Sequence, residues 1–222
     1  MNFPDFLLPT NLLWAANGLC FMLLFYCVKT APWTTFKNQD LLNVFLGMCV
    51  ALMLLWSIKA GIKPGLNFHL LGATLLSLMF GPQLAIVALT IVLAGITLFG
   101  MAGWQSFGIN LLLMAALPAL FSYAIFHWAD RKLPNHLFIY IFIDSFACAA
   151  IAMALCGLAA CYLLAESGAY SSEYLKHYYL PYFILMGWSE AILSGMAVTL
   201  MTAFKPHWLA TFNDKRYLKV KN

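Results

Sequence analysis

Several apolar runs long enough to cross a lipid bilayer constrain this chain more than any other feature. A transmembrane helix needs ~17–25 mostly apolar residues, and the sequence contains several separate runs of that length. Its 222 residues are 64% hydrophobic and only 9% charged, whereas soluble domains carry roughly 25% charged residues. The sequence therefore predicts an all-α integral membrane protein, a polytopic bundle of about seven transmembrane helices.

The third run is shorter than a spanning helix, so we expect it to be short, broken or re-entrant. Polar or glycine-rich loops separate the runs. The predicted spans cover residues 12–28, 41–58, 68–80, 84–99, 109–126, 137–164 and 179–204.

The distribution of Lys and Arg predicts the orientation. With the N-terminus outside, nine of the 12 basic residues are cytoplasmic and three are external, as the positive-inside rule favours. The predicted organisation is one transmembrane domain over residues 1–204, with an N-terminal head of residues 1–11 tucked into the bundle. An ordinary interfacial anchor is the alternative for this head. Residues 205–222 are predicted to form a basic cytoplasmic tail, with the protein in the inner (plasma) membrane of a bacterium.

A histidine stands within the apolar stretch that runs from Gly65 to Asn110. His69 lies between Gly65 and Gly72. An imidazole in hydrocarbon is costly unless it is hydrogen-bonded or binds a ligand. Glycines allow close backbone approach, or irregular chain where it lines a cavity. The stretch predicts a polar site inside an apolar protein, although a histidine bonded only to backbone fits the same pattern.

Two acidic residues also fall within predicted spans. Glu190 lies in the middle of the last span, where a carboxyl group must be protonated, paired or exposed to internal water. A proton or ion path and a hydrogen-bonding clamp between helices both fit it. Asp144 is predicted to face the cytoplasmic loop and to pair with Arg131 or Lys132. A carrier coupled through Glu190 and Asp144 is one functional alternative.

Other classes of function have no motif in this chain. We find no Ser-His-Asp set, paired carboxylates, HExxH or phosphate-binding glycine loop, so the sequence does not predict an enzyme. The six cysteines form no CxxC pair, and the methionines form no MxxM cluster, which favours packing over copper binding. The net charge of +4 lies in loops and tail, and we expect no nucleic-acid partner and no permanently bound cofactor.

Five stretches carry a family resemblance. Residues 1–7 read Met-Asn-Phe-Pro-Asp-Phe-Leu, residues 67–72 read Asn-Phe-His-Leu-Leu-Gly, and residues 79–82 read Met-Phe-Gly-Pro. A glycine-rich stretch covers residues 99–110, and residues 187–191 read Gly-Trp-Ser-Glu-Ala. In this order they resemble the substrate-binding membrane component of the cobalt/nickel energy-coupling-factor transporters.

The resemblance implies a metal site built from the head and the histidine motif. The amine of Met1 and the ring of His69 match family ligands. Asn2 stands where the family has a ligating histidine. An asparagine offers a carbonyl oxygen and amide hydrogens but no imidazole, so the site has one strong nitrogen donor fewer.

The surrounding polar residues are also implied by the resemblance. We expect Asp5, Asn67, Asn110 and Glu190 to orient the ligands or to line an ion path. Asn110 is expected to bond backbone at a helix start. The chain departs from the family motifs at three further positions, where Met101 replaces an aspartate, Ala102 a glycine and Gly95 an expected glutamine.

The function implied is capture and translocation of a divalent transition-metal cation, cobalt or nickel. A transmembrane coupling subunit and partner ATPases would supply the energy, and membrane lipid would surround the chain. The alternative is a protein that keeps the family fold, has lost tight metal binding and acts as an assembly or interaction subunit.

Overall fold

Nine α-helices and one small hairpin make up the computed structural model, which describes residues 2–218. In chain order the helices are α1 (Thr10–Thr30), α2 (Gln39–Ser57), α3 (Ala73–Phe80), α4 (Pro82–Leu98), α5 (Phe107–Lys132), α6 (Leu137–Glu166), α7 (Ser172–Tyr178), α8 (Tyr182–Phe204) and α9 (Asp214–Tyr217). Short 3₁₀ turns cover Trp33–Lys37 and Pro206–Trp208.

Five of these helices are long and apolar enough to cross a membrane by length and composition: α1, α2, α5, α6 and α8. α4 is a shorter apolar helix of 17 residues. The five long helices lie within a few residues of predicted spans, and the expectation of a helical membrane protein is confirmed.

Large apolar side chains cover the outward faces of the long helices. Apolar surface of this extent is unfavourable in water, so these faces contact lipid. Examples from α1, α2, α6 and α8 are Trp14, Phe21, Leu54, Tyr162 and Ile184.

The third span is short, as predicted, but its helix covers Ala73–Phe80 and does not begin at residue 68. Strand β1 (Ala60–Lys63) pairs antiparallel with strand β2 (Leu66–Phe68), and Ala60 lies opposite Phe68. Gly65 at φ 76° makes the turn between the strands. Gly72 at φ 68° then prevents a right-handed helix from starting before Ala73. The all-α description is corrected by this hairpin.

α3 is an internal helix without a lipid face, because all eight of its residues are buried. Thr74 on α3 shares a hydrogen bond of 2.8 Å with Ser122 on α5. Ser77 donates to the carbonyl of Ala119 on α5 at 3.0 Å. A tight turn at Gly81, followed by Pro82 at the first position of α4, joins the two central helices.

π-helical stretches interrupt both α5 and α6, at Leu112–Ala116 and Tyr140–Ala147. Asp144 lies in the second stretch and is 2% exposed. Arg131 and Lys132 are exposed. The predicted ion pair between Asp144 and either of them is wrong, because the carboxyl group lies inside the bundle and the two basic groups lie outside it. Among residues 2–218, Asp144 takes part in no salt bridge.

Candidate metal site

The head, residues 2–9, enters the bundle through Asn2 and Phe3. Asn2 is 3% exposed and Phe3 is fully buried. The backbone N–H of Phe3 donates to Asn110 Oδ1 at 2.8 Å, and Asn110 Nδ2 donates to the Phe3 carbonyl at 3.1 Å. Asn110 thus bonds backbone as predicted, but the backbone belongs to the head and not to its own helix.

Asp5 ties the head to the glycine-rich stretch before α5. Its Oδ1 accepts the backbone N–H of Ser106 at 2.8 Å and the Ser106 hydroxyl at 2.9 Å. The same hydroxyl also lies 2.6 Å from the Phe3 carbonyl. A Cβ at Gly103 would collide with the Asp5 carboxyl group. The chain therefore needs glycine at 103 for the head to dock.

Asn67 on strand β2 holds the backbone of Asn2 from the other side. The N–H of Asn2 donates to Asn67 Oδ1 at 2.8 Å, and Asn67 Nδ2 donates to the Asn2 carbonyl at 3.4 Å. These contacts leave the Asn2 side chain directed at His69, and Asn2 Oδ1 lies 3.1 Å from His69 Nε2. The fold brings together Asn2, Asn67 and His69, three of the residues that the sequence singled out.

The His69 ring faces two oxygen atoms. Its Nδ1 is 3.1 Å from the Leu70 carbonyl, and its Nε2 is 3.1 Å from Asn2 Oδ1. A neutral imidazole carries one ring hydrogen, which can satisfy only one of these contacts. If that hydrogen binds the Leu70 carbonyl, the lone pair of Nε2 faces the lone pairs of Asn2 Oδ1.

In the other tautomer the ring hydrogen is on Nε2 and donates to Asn2 Oδ1, an ordinary hydrogen bond. With the hydrogen on Nδ1, two arrangements relieve the contact between lone pairs. Rotation of the Asn2 amide would let Nδ2 donate to the ring, and within residues 2–218 this buried Nδ2 has no partner in its present position. Alternatively, a cation accepts both lone pairs. Two ligands at 90° around an ion with bonds of ~2.1 Å lie about 3.0 Å apart. The observed 3.1 Å separation has room for two neighbouring ligands of one cation, and it is also the length of an ordinary N–H···O hydrogen bond.

Trp56 and Lys59 border the site without forming part of the predicted set. The Trp56 indole donates to the Leu71 carbonyl at 3.2 Å, and its ring centre lies 4.8 Å from that of His69. Lys59 Nζ donates to the Met101 carbonyl at 2.8 Å. Burial lowers the pKa of Lys59. Both Asn2 and Lys59 line a recess of about 420 Å³ that opens beside the head.

Glu190 on α8 lies behind the histidine loop. Its two carboxyl oxygens accept the backbone N–H groups of Leu71 and Gly72, at 2.8 Å and 2.6 Å. Glu190 is 2% exposed. The contacts are those of a clamp that fixes the loop after His69, and they agree with the clamp interpretation more than with an open ion path.

Sequence reasoning did not single out several residues that build the site. Ser106 lies within the glycine-rich motif, and this position is the sequence feature that could have identified it. Asn17 on α1 donates through Nδ2 to the Gln105 carbonyl and accepts the Gly108 N–H through Oδ1. It had no sequence signal. The space beside Gly95 is filled by the Met53 side chain. The predicted ligand Met1 lies outside the described residues.

Residues 2–218 contain no group of three or more His, Cys, Asp or Glu side chains that could hold a metal ion. Any metal held beside His69 needs amide, backbone or terminal-amine donors as well. The fold and this buried polar centre define a multi-pass membrane protein with a small polar site that the head covers.

The family assignment agrees with that description. A profile of the CbiM family, described as the cobalt uptake substrate-specific transmembrane region, matches residues 2–208. The chain belongs to the CbiM family. No curated protein matches the sequence significantly.

Two solved structures share the fold. One is described as a truncated transition metal transporter, with a TM-score of 0.78 and 19% sequence identity, over 91% of this chain and 99% of that chain. The other is described as a transition metal transporter, with a TM-score of 0.77 and 19% identity, over 91% of this chain and 93% of that one. At this identity the likeness is one of fold.

Proposed function

We propose that this chain is the substrate-binding membrane component of a transporter for a divalent transition-metal cation. The observation that carries the proposal is the buried pair of donor atoms, Asn2 Oδ1 and His69 Nε2, 3.1 Å apart. Membership of a cobalt uptake family supports a metal as the cargo. In this proposal the chain carries cargo and catalyses no reaction.

The donor set shapes the choice of metal. We propose that His69, the Asn2 carbonyl oxygen and the amine of Met1 bind the cation. With an oxygen donor in place of a second imidazole, this set is less suited to the square-planar nitrogen field that nickel(II) favours. Cobalt is therefore the first candidate, and nickel the second.

The remaining polar groups position this set. Asp5 and Asn110 hold the head, Asn67 holds the Asn2 backbone, and Glu190 holds the loop that follows His69. Partners that orient ligands in this way tune metal affinity.

We also propose seven passes with the head outside, α3 and α4 each counted as one pass. Basic residues among those described divide between the two ends of the bundle in the way that the positive-inside rule requires. The head end has Lys59, Lys63 and Lys176, and the opposite end has Lys29, Lys37, Arg131, Lys132, Lys205, Lys215 and Arg216.

The energy for transport would come from other chains. The sequence has no phosphate-binding glycine loop, so partner ATPases and a transmembrane coupling subunit are proposed by family resemblance. The proposed location is the inner membrane of a bacterium, where the long apolar faces contact lipid.

Metal accumulation in the source cells tests this function. The chromosomal copy would be replaced by His69→Ala, with His177→Ala as the matched control because His177 is exposed and lies outside the site. We expect His69→Ala to lower cobalt-57 accumulation at least about tenfold, the scale of a lost ligand contact, while His177→Ala keeps the parental level. Unchanged cobalt and nickel accumulation in His69→Ala would favour the assembly-subunit alternative instead.

A further inference from the structure

A second buried polar cluster lies at the end of the bundle opposite the head. Asp144 and Ser145 lie on the π-helical stretch of α6 and are 2% and 0% exposed. Asp130 lies near the end of α5 and forms an ion pair with Arg216. The cluster plays no part in the outer site. Two further carboxyl groups at this end, Asp40 and Asp214, lie on the exposed surface and outside the cluster.

Two atoms of the cluster are buried and have no partner within residues 2–218: Asp144 Oδ1 and the Ser145 hydroxyl. A buried carboxyl oxygen without a donor is costly. An ionisable group inside a membrane bundle is therefore a functional-site candidate by default. π-helical stretches are also frequent at functional sites, because they redirect side chains out of the ordinary helical pattern.

The C-terminal segment, residues 205–217, covers this cluster. Its backbone bonds the end of α3, from Ala210 N–H to the Met79 carbonyl at 3.0 Å. Thr211 shares a hydrogen bond of 2.8 Å with the Tyr140 hydroxyl. The Tyr217 ring lies 5.1 Å from that of Tyr140.

Tyr217 lies beside both carboxyl groups of the cluster. Burial, followed by the neighbouring charges of Asp130 and Asp144, raises the pKa of Tyr217 to about 12. Arg216, the next residue back along the chain, places its guanidinium group on Asp130. The segment thus places one positively charged side chain, that of Arg216, beside a cluster with two carboxyl groups.

A further unpartnered hydroxyl leads from the outer site towards this cluster. Ser194 lies one turn beyond Glu190 on α8, is fully buried, and has no partner within residues 2–218. α8 packs along the π-helical stretch that carries Ser145. Two helices that pack against each other thus each carry a buried hydroxyl without a partner within residues 2–218.

From this arrangement we propose an inner cation site, in which Asp144, Asp130 and the Ser145 hydroxyl bind a divalent cation on its way to the cytoplasm. Oxygen donors of this kind suit hard divalent cations such as Mn²⁺ and Mg²⁺, and they hold cobalt or nickel more weakly than nitrogen donors such as imidazole do. Weak binding is what a release site needs. Arg216 competes for Asp130, and the C-terminal segment closes the site until the cation leaves.

Mn²⁺ binding to the purified full-length chain tests the inner site. The measurement is electron paramagnetic resonance of free Mn²⁺ during titration. It is carried out in the His69→Ala background, so that metal binding at the outer site does not contribute to the result. We expect one Mn²⁺ site that weakens at least tenfold on adding Asp144→Asn. The matched control is Asp214→Asn, which removes an exposed acid from the same segment and should leave the affinity unchanged.

Two further measurements keep the test decisive. Arg216→Gln should strengthen Mn²⁺ binding, because the competing guanidinium group is removed. In thermal unfolding, Mn²⁺ should raise the midpoint of the His69→Ala protein and not that of His69→Ala with Asp144→Asn. Mn²⁺ affinity that is the same with and without Asp144, or no Mn²⁺ binding in the His69→Ala background, would overturn the proposal.

Discussion

At the scale of single residues, the chain uses polar side chains mainly to hold backbone that has no helical partner. Asn110, Asn67 and Glu190 each bond N–H groups of irregular segments, in the head or in the loop after His69. Such groups must be satisfied inside a membrane, where no water replaces a missing partner. These polar residues make irregular backbone compatible with an apolar bundle.

Glu190 accepts two backbone N–H groups of the loop after His69, so its replacement should be costly. Replacing it by Gln puts an NH₂ group against one of two backbone N–H donors, so one buried donor loses its acceptor. We expect Glu190→Gln to lower the free energy of unfolding by about 1–3 kcal/mol, measured by thermal unfolding in detergent.

The matched control is Glu173→Gln, because Glu173 is exposed. It should change the stability by less than about 0.5 kcal/mol. If Glu190→Gln unfolds at the parental temperature yet abolishes metal accumulation, Glu190 acts on the ion and the clamp interpretation is wrong.

At the scale of elements, the head and the glycine-rich stretch dock as one unit. Gly103 has no room for a side chain, because the Asp5 carboxyl group occupies that space. Gly103→Ala must therefore displace Asp5 and weaken its bonds to Ser106. We expect faster hydrogen exchange of the Phe3 and Ser106 amides, together with weaker cobalt binding.

Gly47→Ala is the control for this substitution. Gly47 lies inside α2, and a Cβ there meets nothing within 4 Å. Alanine should be neutral or stabilise α2 by up to ~1 kcal/mol. Amide exchange at the head that is equally slow in Gly103→Ala and in the parent would show that the head docks without this close contact.

The elements also show how far sequence reasoning reaches. Apolar runs located the long helices to within a few residues, because length in a bilayer is a strong constraint. The hairpin at 60–68 was missed, because its strands have only four and three residues and show no clear alternation of apolar and polar side chains. For the site, the apolar context of the imidazole selected His69, and the motif resemblance added Asn2. Asn17 and Trp56 contribute through contacts that no local sequence pattern predicts.

At the scale of the whole molecule, the proposed orientation places the two ends of the bundle on opposite sides of the membrane. Ser172→Cys, at the start of α7, should react with a membrane-impermeant maleimide in intact cells. Lys215→Cys, in the C-terminal segment, should react only after permeabilisation. Both positions are exposed, and five of the six native cysteines are buried. Labelling of Lys215→Cys in intact cells would contradict the proposed orientation.

The central claim is that Asn2 and His69 bind one metal ion, and calorimetric titration of cobalt tests it most directly. The protein should carry no N-terminal tag, so that the head can dock. We expect the parent to bind one Co²⁺ per chain, His69→Ala to bind at least about tenfold more weakly, and Asn2→His to bind about tenfold or more tightly. Cobalt affinity unchanged in His69→Ala would contradict the claim, as would a parent chain that binds no cobalt when Asn2→His does.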